Sequence, residues 1–575
     1  MSAYLVLASI GALLALLIQG RFSPAVLFTS WAVGYVLLGV VEQQALLNSF
    51  SNPALITLLV LMLVSLALER SPLLDRFSHA LLKGRESMAS LRLMGVTATL
   101  SAFLNNTAVV GSLLGVISRQ RYIPASRLLI PLSYASIFGG VTTLIGTSTN
   151  LVVNSFVVNA GLPALGMFQF AVVGVPVALL CLLGLLFSAR LLPKHRMQDR
   201  ETAQAYFLEA QVMQGSPLIG QSIEANQLRS LDGLFLLELV RQERLISPVS
   251  PDEILLEGDI LVFTGEVEKV QALQRFPGLQ VFGAQADDLL ASNLVEVVIS
   301  NESELAKRTL REVDFRTMFN AGVVGIRRGQ RRLTGQLGQI PLKVGDSLLL
   351  AVGADFTQHR NIDRNFHILN GTPLRPKLSN RQSLLAFSGF GTVIALAALG
   401  LVPLLNGLLV LLAALLLTRI LTLSELRRRF PFELMLIIGS ALTVAKGLES
   451  SGGAALVADT MRSLFDGYGV YGAFVGVFLI TLVLTETVTN NAAAALAFPI
   501  GLSTAQAFGA DPMPFIMAVA FGASACFMVP FGYQTHLMVY SPGRYRMLDY
   551  LKAGLPISLL YSAGVIALVP VMFPF

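Results

Sequence analysis

Ten stretches of this chain are apolar for close to the ~20 residues that a bilayer-crossing helix needs, and most of the sequence must therefore fold in lipid. Five lie near residues 4–18, 25–41, 53–68, 128–157 and 168–187, and five more near 384–399, 402–417, 432–444, 514–540 and 555–571. Only 13% of the residues are charged, against roughly 25% in an ordinary soluble chain. Two further apolar segments, about 91–117 and 471–508, are broken at their centres by polar clusters. Such breaks suit re-entrant hairpins, because irregular backbone at membrane depth must be buried in protein or line a wet cavity. The first run begins at Tyr4 with no basic stretch ahead of it and no small-residue cleavage site, which predicts a retained span.

Loop charge gives the expected orientation. Lys and Arg cluster in the loops at Arg21 and at residues 70–92, 119–127, 194–200, 377–381, 419–429 and 544–552. These fall on one face if the two broken segments are hairpins, and cytoplasmic loops are the basic ones. The loops 42–52, 159–166 and 510–512 carry neither residue; Lys446 and Arg462 are the exceptions on the outer side. The expectation is a multi-pass protein of a plasma (bacterial inner) membrane, both termini outside, with a net charge of +6 that reports topology and not nucleic acid. Cys181 and Cys526, the two cysteines, sit in separate apolar runs and offer no disulfide framework or thiolate metal site.

The chain repeats itself twice over. FLNNTAVVGSLLGVI around Asn106 matches TVTNNAAAALAFPI around Asn490, and each is followed by a small-residue stretch that turns polar, at Asn150 and at His536. The separations are 44 and 46 residues. Between the halves lies a polar stretch, about 201–375, that reads as soluble and α/β, with LIGQSI at Leu218 matching LAKRTL at Leu305 and Gly258-Asp259 matching Gly345-Asp346, both 87 residues on. Alternating apolar residues in LFLLELVRQ and AGVVGIRRG predict half-buried strands there. The predicted fold is an all-α polytopic membrane protein of two inverted five-span repeats, 1–200 and 376–575, each with a re-entrant hairpin, plus a soluble α/β insert of two tandem domains, 201–287 and 288–375. Inverted repeats with paired interrupted helices are a common build of secondary transporters, with the site where the interruptions meet.

Four polar clusters converge by that symmetry: Asn105 to Thr107, Thr147 to Asn150, Thr489 to Asn491, and Tyr533 to His536. Neutral Asn and Thr oxygens suit a hard monovalent cation such as sodium, and broken helices expose N–H groups that attract an anion without Lys or Arg. Taken singly, each of these residues is equally a hydrogen-bonding link between helices. Gly139, Gly140, Gly146, Ala523, Ser524 and Gly532 allow close backbone approach. Glu486 and Lys446 are charges in or at the ends of apolar segments and are expected to pair with each other, with a proton-relay role as the alternative. His536, opposite Asn150 in the repeat, is read either as an anion donor or as a helix cap. No G-x-x-x-x-G-K-[ST] or G-x-G-x-x-G occurs in the insert, and no catalytic or zinc pattern appears, so an ion gradient, and neither ATP nor an enzymatic cofactor, is the expected energy source.

At these residues the sequence resembles the divalent anion/sodium symporter (DASS) family, whose hairpin tips carry Ser-Asn-Thr and whose unwound helices read G-T-x-x-N. Here the tips read Asn105-Asn106-Thr107 and Thr489-Asn490-Asn491; Gly146 to Asn150 keep the second element, and its other copy departs as Tyr533-Gln534-Thr535-His536. The resemblance implies one sodium at each tip, held by Asn105, Asn106, Gly140, Thr147 and Asn150 and by Thr485, Thr489, Asn490 and Ser524. It implies a substrate between the tips, against Asn106, Thr107, Ser148, Thr149, Asn490, Asn491, Gln534, Thr535 and His536. A homodimer working as an elevator is also implied. The insert is similar to the C-terminal regulator domains of potassium-conductance proteins (RCK-C, also called TrkA-C), which in this family accompany sulfate uptake more often than dicarboxylate uptake and would take an unidentified small ligand. The clusters lack Arg and Lys, which favours a compact tetrahedral dianion such as sulfate over di- or tricarboxylates. A transporter-like sensor and a regulator-gated channel are the readings from other classes; the T-V-G-Y-G filter of the latter is absent.

Overall fold

The computed structural model describes residues 2–19, 22–71, 86–119, 123–194, 207–228, 231, 234–242, 244–246, 249–265, 273, 275–282, 294–300, 303–313, 315–319, 321–329, 331–333, 337–352, 356, 362–369, 378–465 and 467–575. The expected boundaries at 200/201, 287/288 and 375/376 lie outside these residues, as do Arg21, Arg121, Lys377 and the basic residues within 72–85 and 195–200.

The chain is mostly helical. Before the sheet region come α1 (Ala3–Gln19), α2 (Pro24–Leu37), α3 (Gln43–Phe50), α4 (Pro53–Glu69), α5 (Glu86–Ser101), α6 (Asn106–Arg119), α7 (Leu129–Gly140), α8 (Ser148–Asn159) and α9 (Ala171–Ser188). After it come α10 (Asn380–Ala398), α11 (Leu404–Leu417), α12 (Leu423–Arg429), α13 (Phe432–Ser450), α14 (Gly453–Phe465), α15 (Gly469–Thr487), α16 (Asn490–Phe508), α17 (Pro512–Ala523), α18 (Gln534–Tyr540) and α19 (Met547–Met572). Among the described residues five helical segments are long and apolar enough to cross a membrane, and a sixth joins α12 to α13 across a 53° bend. The amphipathic α14 is an addition to the sequence reading.

Local chemistry sets the helix starts. Asn52 caps α4 by accepting from the N–H groups of Ala54 and Leu55, ahead of Pro53, whose missing N–H costs nothing in a first turn. Asp511 and Pro512 do the same for α17, and Ser379 and Gln382 form a reciprocal capping box on α10. Gly509 closes α16 in the left-handed conformation at φ +65°. All twelve residues of α7 are buried, so that helix lies at the centre. The outer helices expose apolar faces instead, with Phe187 on α9 at 67% and Leu417 at the end of α11 at 86%, which suits a lipid solvent.

The polar clusters fall on helix breaks. α5 and α6 part at 102–105, and α15 and α16 at 488–489; α7 and α8 are separated by 141–147, and α17 and α18 by 524–533. The packing runs in reciprocal pairs: α4 lies on α11 as α13 lies on α2, α5 on α7 as α15 on α17, and α8 on α16 as α18 on α6, while α9 and α19 pack on each other.

The sheet region holds two antiparallel five-stranded sheets. Strands β1 (Phe207–Val212), β2 (Leu234–Arg241), β3 (Arg244–Ile246), β4 (Ile260–Gly265) and β5 (Leu279–Phe282) run in the order β3-β2-β4-β1-β5. Strands β6 (Leu294–Ile299), β7 (Ala321–Arg328), β8 (Arg331–Leu333), β9 (Ser347–Val352) and β10 (Phe366–Ile368) run β10-β6-β9-β7-β8, the same order read from the other edge. Even the register shifts correspond, between Leu236 and Glu238 and between Val323 and Gly325. Each sheet has its own apolar core. Arg241 grips Asp259 through Nε and Nη2 at 2.8 and 2.7 Å, and Arg328 grips Asp346 at 2.7 and 2.7 Å, so the matched Gly-Asp pairs carry matched ion pairs. Both carboxylates are 1% exposed, and the hydrogen bonds to them, with their negative charge, push the Arg241 and Arg328 pKa values up.

Candidate functional site

At the first break Asn106 opens α6 and points into the protein, 4% exposed. Its amide is satisfied with Oδ1 accepting from Tyr533 Oη at 2.8 Å and Nδ2 donating to the carbonyls of Ser136 at 3.0 Å and Gly146 at 3.3 Å. Glycine is required opposite it, because a Cβ on Gly140 would lie 2.8 and 2.9 Å from that amide, and one on Gly146 would lie 2.6 Å from Gly140 O and 2.8 Å from Ser101 O. Asn150, in the first turn of α8, donates from Nδ2 to Thr143 O at 2.8 Å, and the Thr143 hydroxyl reaches Ala102 O. Among the described residues, Asn150 Oδ1 and Ser101 Oγ are buried without a hydrogen-bond partner. The pocket is therefore lined with buried oxygens and under-satisfied, whereas buried polar atoms are normally satisfied.

The second break repeats the arrangement. The Thr485 hydroxyl lies 2.9 Å from Asn490 Oδ1 and 2.6 Å from Ala523 O. Ser524, at the end of α17, is fully buried, and its Oγ again has no partner among the described residues. A Cβ on Gly532 would meet Cys526 Sγ at 2.3 Å and Thr485 O at 2.9 Å, so the unwound stretch closes against the hairpin.

Between the pockets lies a more open rim. Thr107 Oγ1 is 3.1 Å from Gln534 Oε1, and Ser148 Oγ is 3.3 Å from Asn491 Oδ1, so each tip touches the interrupted helix of the other half. Thr107, Ser148 and Asn491 are partly exposed, and Gln534 and Thr489 exposed. Asn105 is also partly exposed and accepts from Thr107 N at 2.9 Å, which shapes the tip. Thr147, 3.3 Å from Tyr533 Oη, is buried, as are Thr149, Asn490 and Thr535. α6, α8 and α16, each at least twelve residues long, begin at this place, and free N–H groups at helix starts favour an anion.

His536 stands behind the rim with no exposure. Its Nε2 is 2.8 Å from Cys526 O, which only accepts, so that nitrogen carries the hydrogen; Nδ1 is 2.7 Å from Ser133 Oγ, itself 2.7 Å from Thr535 Oγ1. Both ring nitrogens are thus engaged, Nδ1 with α7 and Nε2 with the break between α17 and α18. The expected pairing of Glu486 with Lys446 does not occur. Glu486 Oε1 instead accepts the N–H groups of Phe527 and Met528 at 2.9 and 3.0 Å, donors freed by the break after α17, while Lys446 pairs with Glu449 at 2.9 Å. Ser101, Ser133, Ser136 and Thr143 take part without having been assigned from the sequence, and Tyr533, read there as an anion donor, bonds the Asn106 amide instead. Ser101 was recoverable, since it precedes Asn106 by the same five residues that separate Thr485 from Asn490.

The model of the citrate transporter family (CitMHS) matches residues 7–572. A Chlamydomonas reinhardtii protein whose name places it in the sulfur deprivation response is 32% identical over 91% of this chain and 93% of its own length. An uncharacterized transporter of Synechocystis sp. is 30% identical over 94% of this chain and 92% of its own. Sodium/sulfate cotransporter 1 of C. reinhardtii is 29% identical over 63% of this chain, which covers 42% of that longer protein. The chain belongs to the citrate transporter family, as the resemblance to sodium-coupled anion symporters implied.

Proposed function

From membership in that transporter family we propose that the chain is a secondary active symporter, coupling sodium entry to uptake of a small divalent anion, with sulfate the preferred cargo. One observation carries the reading: a rim of neutral donors at three helix starts, without Lys or Arg in the four clusters, flanked by two buried pockets that each hold an oxygen with no partner among the described residues. A carboxamide or hydroxyl oxygen buried without a partner is a suitable ligand for sodium. We assign Asn150, Ser101, Asn106 and the Gly140 backbone to one ion, and Ser524, Thr485 and Asn490 to the other. Asn105 and Thr489, at the tips, order the loops that close over the ions, and Thr147 joins Tyr533 in the wall of the first pocket. The anion meets Thr107, Ser148, Asn491 and Gln534. Asn106, Asn490, Thr149, Thr535 and His536 stand one layer behind and position those donors. The names of the C. reinhardtii relatives support sulfate and sodium.

The reciprocal packing of α2 to α9 with α11 to α19 supports two inverted repeats, and the basic loops support an insert in the cytoplasm with both termini outside, in a bacterial inner membrane. The matched sheet orders support two tandem regulator-type domains of the RCK-C kind. A homodimer with an elevator movement is the arrangement that the symporter resemblance implies. Uptake of labelled sulfate into proteoliposomes tests the function. It is expected to require an inward sodium gradient and to be inhibited by selenate, molybdate or thiosulfate, and not by succinate or citrate. Uptake unchanged when choline replaces sodium at fixed pH overturns the coupling. The family description favours citrate as the second reading, and strong competition by citrate with none from selenate selects it.

A further inference from the structure

Two apolar helices reach the membrane surface on either side of α12. α11 ends at Leu417 and α13 begins at Phe432, so the seven-residue α12 between them lies at the level of phospholipid headgroups. Pro431 makes it a separate helix. The residue before a proline is driven to extended backbone, as Phe430 is at φ −62° and ψ 125°, and the chain turns by 53° into α13. The start of α12 is fixed, because Thr422 and Glu425 form a reciprocal capping box and Glu425 Oε1 accepts from Arg70 Nη1 at 3.0 Å, at the end of α4.

The first half fills the matching place with protein. α3 precedes α4 as α12 precedes α13, and Phe430 follows Phe50, Thr422 follows Glu42 and Arg419 follows Gly39 by 380 residues each. α3 lies on α13, with Phe50 seated against Gly439, where a Cβ would be 2.7 Å from the ring. α4 contains no glycine, and Phe430 stays exposed. An open cavity of about 500 Å³ remains, walled by Leu423, Leu426, Arg427, Phe430 and Phe432.

Four apolar side chains and one guanidinium make a wall for an amphiphile. The Arg427 guanidinium is exposed and has no hydrogen bond or ion pair among the described residues, and Arg428 donates from Nε to Ser424 O at 3.3 Å. Glu425 is spent on Arg70 and on Thr422 N, so it does not neutralise them; Arg429 and Glu433 have interactions of their own, and the site is built without them. A planar fork takes phosphate oxygens in pairs, while the exposed Leu423 and Phe432 offer surface that acyl chains cover better than water. A zwitterionic headgroup would bring its ammonium against Arg428, the next residue, whereas a net negative one meets positive charge on both. The loop 42–52 of the first half carries no Lys or Arg, so this charge belongs to one membrane face.

We infer that the cavity at the α12–α13 bend binds an anionic phospholipid, its phosphate on Arg427 and an acyl chain against Phe430 and Phe432. Binding there is independent of which anion is transported.

Native mass spectrometry of the purified full chain in a nonionic detergent, titrated with phosphatidylglycerol and separately with phosphatidylcholine, tests the site. Phosphatidylglycerol is expected to bind more tightly, and Arg427→Gln to weaken it by about tenfold or more, as loss of a charge-assisted bond does. Leu423→Asn leaves every charge in place and is expected to weaken it as well, because the apolar wall holds the acyl chain. It also keeps the test decisive should Arg427→Gln misfold. Arg381→Gln removes the same charge from the exposed start of α10 and is the control, expected to leave binding intact. Glycerol 3-phosphate, a soluble source of the same phosphate, is expected not to displace the lipid. Equal binding of the two lipids, binding that survives Arg427→Gln or Leu423→Asn, an equal loss in Arg381→Gln, or displacement by glycerol 3-phosphate overturns the site.

Discussion

Replacing Ser524 by Ala separates an ion ligand from a misplaced hydroxyl, because the two readings predict opposite signs. Ser524 Oγ is fully buried and lacks a hydrogen-bond partner among the described residues, so removing it orphans nothing in the protein. A buried hydroxyl without a partner costs about 1–3 kcal/mol. Without sodium, the alanine variant is therefore expected to unfold at the same or a higher temperature than the wild type. If the oxygen ligates sodium, the same change removes an interaction of about 1–3 kcal/mol from the bound state, raising the half-saturating sodium concentration about 5- to 150-fold. Sodium stabilises the chain by mass action only as far as it still binds, so the sodium-dependent rise in unfolding temperature shrinks in step. The assays are thermal unfolding across a sodium series, with choline balancing ionic strength, and sulfate uptake across the same series. Ser383→Ala supplies the control, since that hydroxyl on α10 is also buried without a partner among the described residues but is far in sequence from both pockets. A half-saturating sodium concentration within about twofold of wild type in Ser524→Ala would refute the assignment.

Asn106→Ala and Asn490→Ala are each expected to abolish sodium-driven uptake, with residual uptake above a few per cent counting against the pocket model. Glu486→Gln keeps the oxygen that accepts from Phe527 and Met528 and is expected to retain uptake, whereas Glu486→Ala orphans both N–H groups at about 1–3 kcal/mol each and is expected to lose it; loss in both variants would point to proton transfer instead. A cysteine at the exposed Glu257 is expected to react with impermeant thiol reagents in inside-out vesicles and not in whole cells, the native Cys181 and Cys526 being buried. Burial pushes His367 of β10 down to about 4, below the ~6.5 of an unfolded chain. The unfolded chain then takes up the proton first as pH falls, so stability of the second sheet unit should drop from about pH 6.5 toward 4; His367→Phe should flatten that dependence in pH-jump proteolysis, and an unchanged slope excludes His367 as its source.

The hairpin tips were legible because an Asn-Asn pair inside an apolar run has no other inexpensive home, and the helix breaks fall beside Asn106 and Asn490. The hydroxyl residues behind them were not. Ser and Thr in apolar helices commonly bond the carbonyl one turn back, as Thr481 does to Val477, and only the fold reveals that Ser101 and Ser524 do not. The mistaken Glu486 partner has a similar origin. Opposite charges suggest a pair in sequence, but two free backbone N–H groups released at the helix break compete for the same carboxylate, and they lie in its path. α14 was missed because a 13-residue amphipathic helix has neither the length nor the uniform apolarity of a span.

The neutral character of the rim also constrains the order of events. A dianion leaving water for a site without formal positive charge loses solvation that helix starts alone repay only in part. Two sodium ions in the flanking pockets would supply two positive charges within a few residues of the rim, because Asn106 and Asn490 adjoin Thr107 and Asn491. An ion that orders the Asn106 amide also fixes the first turn of α6, and with it the Thr107 hydroxyl that meets Gln534. Sodium must then bind before the anion, and the anion's affinity must fall as sodium is withdrawn, by the same factor as sodium affinity falls without the anion. Equilibrium binding of labelled sulfate to the detergent-purified chain should be undetectable in choline and restored by sodium. Sulfate binding of equal strength in both salts would place the positive charge elsewhere and remove the physical reason for coupling.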